Sequence, residues 1–187
     1  MKWSLVLLIA TWTLLLGSCR EVSFAVTQPS GVQPLREVPA ELQGAYLARD
    51  PHTKEKGDTL LIESWGYHFK DAEDKDWLGR GVISDSMVVK FYKDYYFVNF
   101  KVEDQWVLRL IKKLPDGGLQ FQSIDLQGEE KSKTIVKRLS KKLAVKEIKR
   151  KDDTFYQINP TPAQLIGLIE EGFFTGIQLE RLGHPKK

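Results

Sequence analysis

The chain has 187 residues, of which 42% are hydrophobic and 11% aromatic, which is enough to bury one sizeable core but too few for two large domains. Its 28 Lys and Arg residues stand against 25 Asp and Glu residues, so the formal charge of +3 describes a mixed surface and excludes a nucleic-acid binder that works by bulk charge. The single cysteine, Cys19, excludes an intramolecular disulfide and a cysteine-based zinc site.

The first 18 residues have the pattern of an export signal. Lys2 precedes an almost wholly apolar run over residues 5–16, which is shorter than the roughly 20 apolar residues that a membrane-spanning helix needs. The run ends in Leu16-Gly17-Ser18-Cys19, which resembles the lipobox of bacterial lipoproteins: a leucine, two small residues and the cysteine that receives the lipid. The resemblance implies a signal peptide over 1–18 and an acylated Cys19. The alternative is an incidental thiol behind an ordinary signal peptide or an uncleaved anchor.

The same resemblance implies a lipid-anchored protein of the bacterial cell envelope, with the lipid bilayer as its partner through Cys19. Several acyl chains, each contributing about 0.8 kcal/mol per buried CH₂, hold a protein on a bilayer without a membrane span. Arg20 follows the cysteine and is not the aspartate that usually retains Gram-negative lipoproteins at the inner membrane. We therefore expect the outer membrane rather than the inner one.

Residues 19–39 are predicted to form a flexible tether between the lipid and a single globular domain over 40–187. Ser, Thr, Gln, Gly and Pro are frequent in this segment, and such a composition favours extended, solvated backbone. The alternative is an N-terminal arm that lies in a groove of the domain through Phe24 or Val26.

Alternation of apolar and polar residues predicts that the domain is mainly β, with a smaller helical part in an α+β arrangement. Short turns separate five such segments, at 59–69, 81–91, 95–102, 106–114 and 119–126. Short connections make neighbouring strands antiparallel, so we expect an antiparallel meander that forms a sheet or a small barrel-like domain. Aromatic residues on both faces of 95–102 predict that this strand is central or lines a cavity.

Two helices are predicted after the meander. Residues 133–143 have apolar residues at helical spacing, which indicates a short basic amphipathic helix. Thr161 can cap a C-terminal helix, with Pro162 at its first position and Gln164 completing a capping box, and Gly172 ends it. Three further short strands are predicted at 145–150, 154–159 and 176–182, the last of them at an edge of the sheet.

Motifs of common enzyme classes are absent from the sequence, including GxSxG, the P-loop, GxGxxG, HExxH and CxxC. The three histidines, His52, His68 and His184, have no metal-site spacing, and only His68, among aromatic residues, could face an interior site. The acidic segment 71–76 lacks the glycine and distal glutamate of a calcium loop, so a solvated loop is the simpler interpretation. We therefore predict no catalytic residue, no metal and no cofactor. An enzyme whose carboxylates meet only on folding remains the alternative.

Basic residues dominate the segment 131–151, where ten Lys and Arg residues accompany one Glu. Lys137, Arg138, Lys141 and Lys142 form a candidate patch for an anionic envelope component, such as lipid headgroups or polysaccharide. The alternative is a helix face that is charged for solubility alone. No protein partner can be named from these residues.

Residues 41–46, Glu-Leu-Gln-Gly-Ala-Tyr, resemble the Leu-x-Gly-x-aromatic opening of lipocalin-like barrels, with Tyr46 where Trp is usual. This resemblance implies an apolar cup for a small ligand. The aromatic residues expected to line it are Trp65, Tyr67, Trp77, Tyr96, Phe97 and Trp106, and the alternative is that they fill an ordinary core. The sequence thus favours a non-catalytic envelope lipoprotein that acts through protein or envelope-component contacts, with a carrier of a small apolar ligand as the alternative.

We predict that Cys19→Ser abolishes lipid attachment and releases the protein from membranes without changing its fold. Labelled palmitate should enter the wild-type protein and not the variant, because Cys19 is the only thiol in the chain. Ser18→Ala keeps a small residue before the cysteine and should retain the label. A wild-type protein that takes up no label would end the lipid-anchor hypothesis.

Overall fold

The computed structural model describes residues 19–48, 58–70, 79–151 and 153–183. These residues form twelve strands and two helices, which are numbered in chain order. The elements are β1 Cys19–Phe24, β2 Gly44–Ala48, β3 Thr59–Glu63, β4 Gly66–Phe69, β5 Arg80–Val82, β6 Met87–Tyr92, β7 Tyr95–Val102, β8 Gln105–Lys113, β9 Leu119–Ser123, α1 Glu129–Ser140, β10 Lys146–Lys149, β11 Asp153–Gln157, α2 Pro162–Glu170 and β12 Thr175–Arg181.

All twelve strands belong to one mixed sheet, in which β8 is the branch point. The hydrogen-bonded order is β10-β11-β1-β8-β9-β12-β2-β3-β4-β5, and β7 and β6 continue from the other edge of β8. One edge of β8 pairs with two strands, with β1 near Val107 and with β9 from Leu110 onward. The opposite edge of β8 pairs with β7. The sheet is not closed, because no ladder joins β5 to β6 in the described residues. The isolated bridge next to them links Met87 to Ser84, which follows β5.

The prediction of a mainly β protein is confirmed, and the antiparallel meander is confirmed in part. Strands β2 to β5 and β6 to β9 form two antiparallel runs. The segments predicted at 59–69 and 81–91 each contain a turn and therefore supply two strands apiece. β1 departs from the meander because it pairs parallel with β11. β12 lies inside the sheet between β9 and β2, not at the predicted edge.

The middle of the sheet is apolar on both faces, so it separates two cores. Along β7 and β8, Phe97 and Leu110 contribute to a core covered by both helices, whereas Val98 and Val107 contribute to the other. The second core is enclosed by the sheet itself. The rings of Tyr67 on β4 and Phe100 on β7 meet edge to face at 6.1 Å, which requires a strongly curved sheet because these strands are distant in the hydrogen-bonded order.

Both helices form near their predicted positions. At α2 the capping box is present: the Thr161 hydroxyl accepts from the Gln164 backbone N–H at 3.3 Å, and the Gln164 side chain accepts from the Thr161 N–H at 2.9 Å. α1 begins four residues earlier than the predicted 133–143 and ends at Ser140. Glu129 explains the earlier start, because an acidic residue in the first turn is favourable and it pairs with Lys133 at 2.7 Å.

The segment predicted as a flexible tether instead begins with strand β1, inside the sheet. Phe24 is 1% exposed and packs in the helix-covered core. On the opposite face, both oxygens of Glu21 accept from the guanidinium of Arg109, at 2.9 and 3.2 Å. The composition argument overlooked the alternation in Glu21-Val22-Ser23-Phe24, which is a strand pattern. Packing through Phe24, the alternative considered above, is what the structure has, while Val26 is 52% exposed.

Two buried polar side chains hold the backbone that follows β1. Asn99 on β7 accepts from the Gln28 N–H at 2.6 Å and donates to the Gln28 carbonyl at 2.8 Å. The Lys90 ammonium, in a side chain only 4% exposed, donates to the carbonyls of Thr27 and Pro29, each at 2.9 Å. Burial lowers the pKa of Lys90. The N-terminal segment is therefore part of the folded domain.

We predict that Lys90→Met destabilises the protein by about 2 kcal/mol, because two carbonyls lose their donor in a buried setting. Lys101→Met is the matched control, since Lys101 is exposed on the neighbouring strand, and it should change stability by less than about 0.5 kcal/mol. Urea unfolding midpoints measure both effects. Equal midpoints for the two variants would contradict the proposed role of Lys90.

Candidate functional site

A cavity of about 190 Å³ lies inside the curve of the sheet, and no polar atom of the described residues is exposed to it. Residues from eight strands and from the segment before β2 line it. They are Val38, Leu42, Ala48, Leu60, Ile62, Gly66, Tyr67, Phe69, Met87, Val89, Val98, Ile111, Leu119, Phe121, Ile177 and Leu179. An apolar cavity of about 150 Å³ suffices to bind benzene in another protein. The space can therefore hold a small apolar molecule or part of a larger one.

One end of the cavity is closed by the segment 38–42. The Val38 N–H donates to the Ser64 carbonyl at 2.8 Å, at the turn between β3 and β4. The Leu42 carbonyl accepts from the buried hydroxyl of Tyr46 at 2.9 Å. The Arg181 guanidinium lies 5.7 Å from the Tyr46 ring centre, and burial raises the pKa of Tyr46. Residues 41–46, which resemble the first sequence motif of lipocalin-like barrels, thus lie at the closed end of the cavity.

A polar cluster of Glu41, Tyr96 and Lys113, named here the Glu41 cluster, ties this segment to β7 and β8. The Glu41 carboxylate accepts from the Tyr96 hydroxyl and from the Lys113 ammonium, the latter at 3.2 Å. These bonds hold the pKa of Glu41 below its ordinary value. Burial and the Glu41 carboxylate raise the pKa of Tyr96. The closing segment is therefore fixed by charge-assisted hydrogen bonds as well as by packing.

The opposite end of the cavity is its exposed end. Ala48 and Phe69, both half-buried, are the last residues of β2 and β4, and these strands run in the same direction because each is antiparallel to β3. β12 is antiparallel to β2 and so begins at that end. There Ile177 is 39% exposed and lies opposite the half-buried Phe121 on β9. Ile177 is the most exposed residue that lines the cavity.

The aromatic residues predicted to line an apolar cup are distributed over both faces of the sheet. Tyr67 lines the cavity. Tyr96 belongs to the same core but points its hydroxyl at Glu41. Phe97 and Trp106 lie on the other face, in or against the helix-covered core. Trp77 lies outside the described residues.

Trp65 and His68 lie together away from the cavity. Their rings stack at 5.8 Å between centres, the Arg80 guanidinium is 5.1 Å from the Trp65 ring, and His68 Nδ1 is 3.8 Å from the Glu63 carboxylate. His68 therefore does not face an interior site. His52, His184 and the acidic segment 71–76 lie outside the described residues.

Most of the cavity wall is aliphatic and was not singled out by the sequence analysis. The missed residues include Val89, Val98, Leu119 and Leu179. Their alternation marks the buried face of each strand, but a filled core has the same alternation. This alternation is visible in the sequence, but it does not distinguish a cavity wall from an ordinary core.

The four basic residues of the candidate patch, Lys137, Arg138, Lys141 and Lys142, are all exposed. Lys137 and Arg138 lie in the last turn of α1, and Lys141 and Lys142 directly follow it. The Arg138 guanidinium lies 4.3 Å from the centre of the Phe173 ring. The Lys142 ammonium pairs with the Glu171 carboxylate at 2.7 Å. The other two have no ion pair within the part of the chain that the structure covers. Half of the patch is thus engaged with the C-terminal end of α2, and the other half is free to meet an anionic surface.

The Glu41 cluster predicts a pH dependence of stability. Because hydrogen bonds from Tyr96 and Lys113 lower the pKa of Glu41 from its ordinary value of 4.5, the folded state binds this proton less tightly than the unfolded state does. The stabilisation is present above that value and is lost as the pH falls through the lowered folded-state pKa. We expect Glu41→Gln to be less stable than wild type near neutral pH and to lose less stability on acidification.

Urea unfolding at neutral pH and at about pH 3 measures this difference. Glu37→Gln removes an exposed carboxylate from the same segment and is the control, which should follow the wild-type pH dependence. A Glu41→Gln variant that follows the same curve would exclude a stabilising role for the cluster.

In residues 19–48, 58–70, 79–151 and 153–183, no helix is both long and apolar enough to cross a bilayer. Within these same ranges, no three His, Cys, Asp or Glu side chains are grouped so that they could hold a metal ion.

No family model matches the sequence, and neither a curated protein nor a solved structure shows significant similarity to it.

Proposed function

We propose that this chain is a lipid-anchored protein of the bacterial cell envelope that holds a small apolar ligand inside its curved sheet. The observation that carries the proposal is the cavity of about 190 Å³ with no exposed polar atom. Typical ligand sites are concave and mostly apolar. At about 190 Å³, this cavity is smaller than the roughly 300 to 1,000 Å³ of typical ligand pockets, which favours a small ligand or a short part of a longer one.

The energetic cost of such a cavity supports the binding role. At about 24 cal/mol per Å³, a fully enclosed empty cavity of this size would cost roughly 4 to 5 kcal/mol, which is an upper limit here because this cavity is exposed at one end. That is a large fraction of the 5 to 15 kcal/mol by which folded proteins are stable. A ligand that fills the space recovers part of this free energy on binding.

The chemistry of the wall favours binding over catalysis. Among the described residues, Tyr67 is the single lining residue with a titratable side chain, and none of their polar atoms is exposed to the space. The Glu41 cluster uses its carboxylate to fix the closed end, where Glu41 is already bonded to Tyr96 and Lys113. In the part of the chain that the structure describes, a ligand in this cavity meets no group that could act on it as nucleophile, acid or base.

The anchor is proposed from Leu16-Gly17-Ser18-Cys19, and Arg20 favours the outer membrane. Because β1 begins at Cys19, an acyl group there would hold the sheet itself close to the bilayer without an intervening tether. A bilayer concentrates apolar molecules, so attachment would raise the effective concentration of such ligands near the cavity.

A second candidate function is contact with an anionic envelope component. It is favoured by two basic residues that lack ion pairs among the described residues, Lys137 in the last turn of α1 and Lys141 directly after it. Two unpaired cations would contribute about 1 kcal/mol each near an anionic surface. Their contribution is smaller than that of the cavity, so we assign them an accessory role.

We predict that benzene stabilises the wild-type protein and does not stabilise Ala48→Phe. Ala48 lines the cavity, so a phenyl group there occupies the space that the ligand needs. Benzene at ten times its dissociation constant should stabilise the wild type by about 1.4 kcal/mol, which raises Tm by roughly 3 to 6 °C.

The matched control is Ala45→Phe, because Ala45 lies on the same strand and does not line the cavity. It should keep the wild-type response to benzene. If benzene leaves Tm unchanged in wild type, or raises it equally in Ala48→Phe, the binding function is wrong.

A further inference from the structure

We propose that the occupant of the cavity is the methyl end of a single unbranched hydrocarbon chain, which enters tail-first past Ile177 and leaves its polar head outside the sheet. This inference rests on the proposed binding function and names the chemical class of the ligand. It also assigns Ile177 as the residue that determines access.

The shape of the cavity favours a chain over a compact ring. Strand β4 runs from Gly66, beside the closed end, to Phe69 at the exposed end, and both residues line the cavity. At about 3.3 Å per residue, the three steps between them span roughly 10 Å. A volume of about 190 Å³ spread along such a length is elongated. A linear chain fills this form with fewer gaps than a bulky ring system does.

The polarity of the wall orients the chain. The described residues expose no polar atom to the cavity, so a carboxylate, hydroxyl or amide placed among them would lose its hydrogen bonds to water without gaining others. The segment 38–42 lies across the far end, where Val38 and Leu42 line the cavity. The polar head of an amphiphilic ligand must therefore remain at the end near Ile177, where solvent reaches.

The position of Ile177 is set by its neighbour. A side chain at Gly176 would place its Cβ 1.9 Å from the Phe121 carbonyl oxygen, so only glycine allows β12 to approach β9 this closely. Ile177 then lies directly opposite Phe121, and both line the cavity. The two side chains form an apolar rim where a hydrocarbon chain would enter.

The test uses octanoate, decanoate and sebacate with the full-length protein and is read by calorimetry or by ligand-detected NMR. Affinity should rise roughly fourfold for each added methylene until the cavity is full. Sebacate has the carbon number of decanoate but a carboxylate at each end, so it should bind at least 100-fold more weakly. Equal affinity for decanoate and sebacate would overturn the tail-first orientation.

Benzene separates this inference from the proposed function. If benzene binds and is excluded by Ala48→Phe, whereas decanoate does not bind, the cavity is a ligand site and the chain proposal is wrong. If neither benzene nor decanoate binds, the proposed function itself fails.

Two tryptophan variants test the role of Ile177. Ile177→Trp narrows the exposed end and should weaken decanoate binding at least tenfold. Leu182→Trp is the control, because Leu182 is comparably exposed and does not line the cavity, and it should bind like wild type. Wild-type affinity in both variants would exclude Ile177 as the point of entry, and a far-UV spectrum confirms that both remain folded.

Discussion

The architecture depends on burial of both faces of strands β7 and β8. Because successive side chains of a strand point to opposite faces, these two strands supply apolar residues to two cores at once. Phe97 and Leu110 pack under the helices, while Val98 and Val107 face the curved interior. A strand that is buried on both faces must lie inside the structure. The rest of the sheet is therefore arranged around β8, which pairs with β7 on one edge and with both β1 and β9 on the other.

The N-terminal segment supports both cores. β1 adds Phe24 to the helix-covered core, and its Glu21 forms a bidentate ion pair with Arg109 on the opposite face. Such a pair is costly to desolvate and costly to break on one side only, so it acts chiefly to define the position of β1 beside β8. The chain then passes over β6 and β7 and reaches the segment 38–42, which closes one end of the cavity. Residues 19–42 thus connect the sheet to the cavity.

The cavity combines an apolar wall with polar bonds placed outside it. Glu41, Tyr96 and Lys113 satisfy one another, and the Tyr46 hydroxyl satisfies the Leu42 carbonyl, so the closing segment leaves none of these groups turned into the cavity. Fixed walls reduce the ordering cost of binding. The shape and polarity of the space, and not a reactive group, therefore carry the proposed specificity.

The sequence by itself determined the local elements, because these depend on neighbours in the chain. Alternation located the strands over 95–102 and 106–114 within one residue at each end, and Thr161, Pro162 and Gln164 located the start of α2. The basic helix was predicted in the right region, but its predicted start lies four residues after the observed one. These signals arise from hydrogen bonds and side-chain periodicity within a few residues.

Only the tertiary structure decided which strands meet, and hence where the candidate site lies. The parallel pairing of β1 with β11 joins segments from opposite ends of the chain, and composition alone had suggested a solvated tether there. The cavity exists because the sheet curves until β4 and β7 approach each other, and its wall is built from aliphatic residues whose alternation is that of any buried strand. Alternation specifies the two faces of each strand. It does not specify how far a sheet bends or whether the enclosed space is filled, because both depend on the packing of side chains that are distant in the sequence.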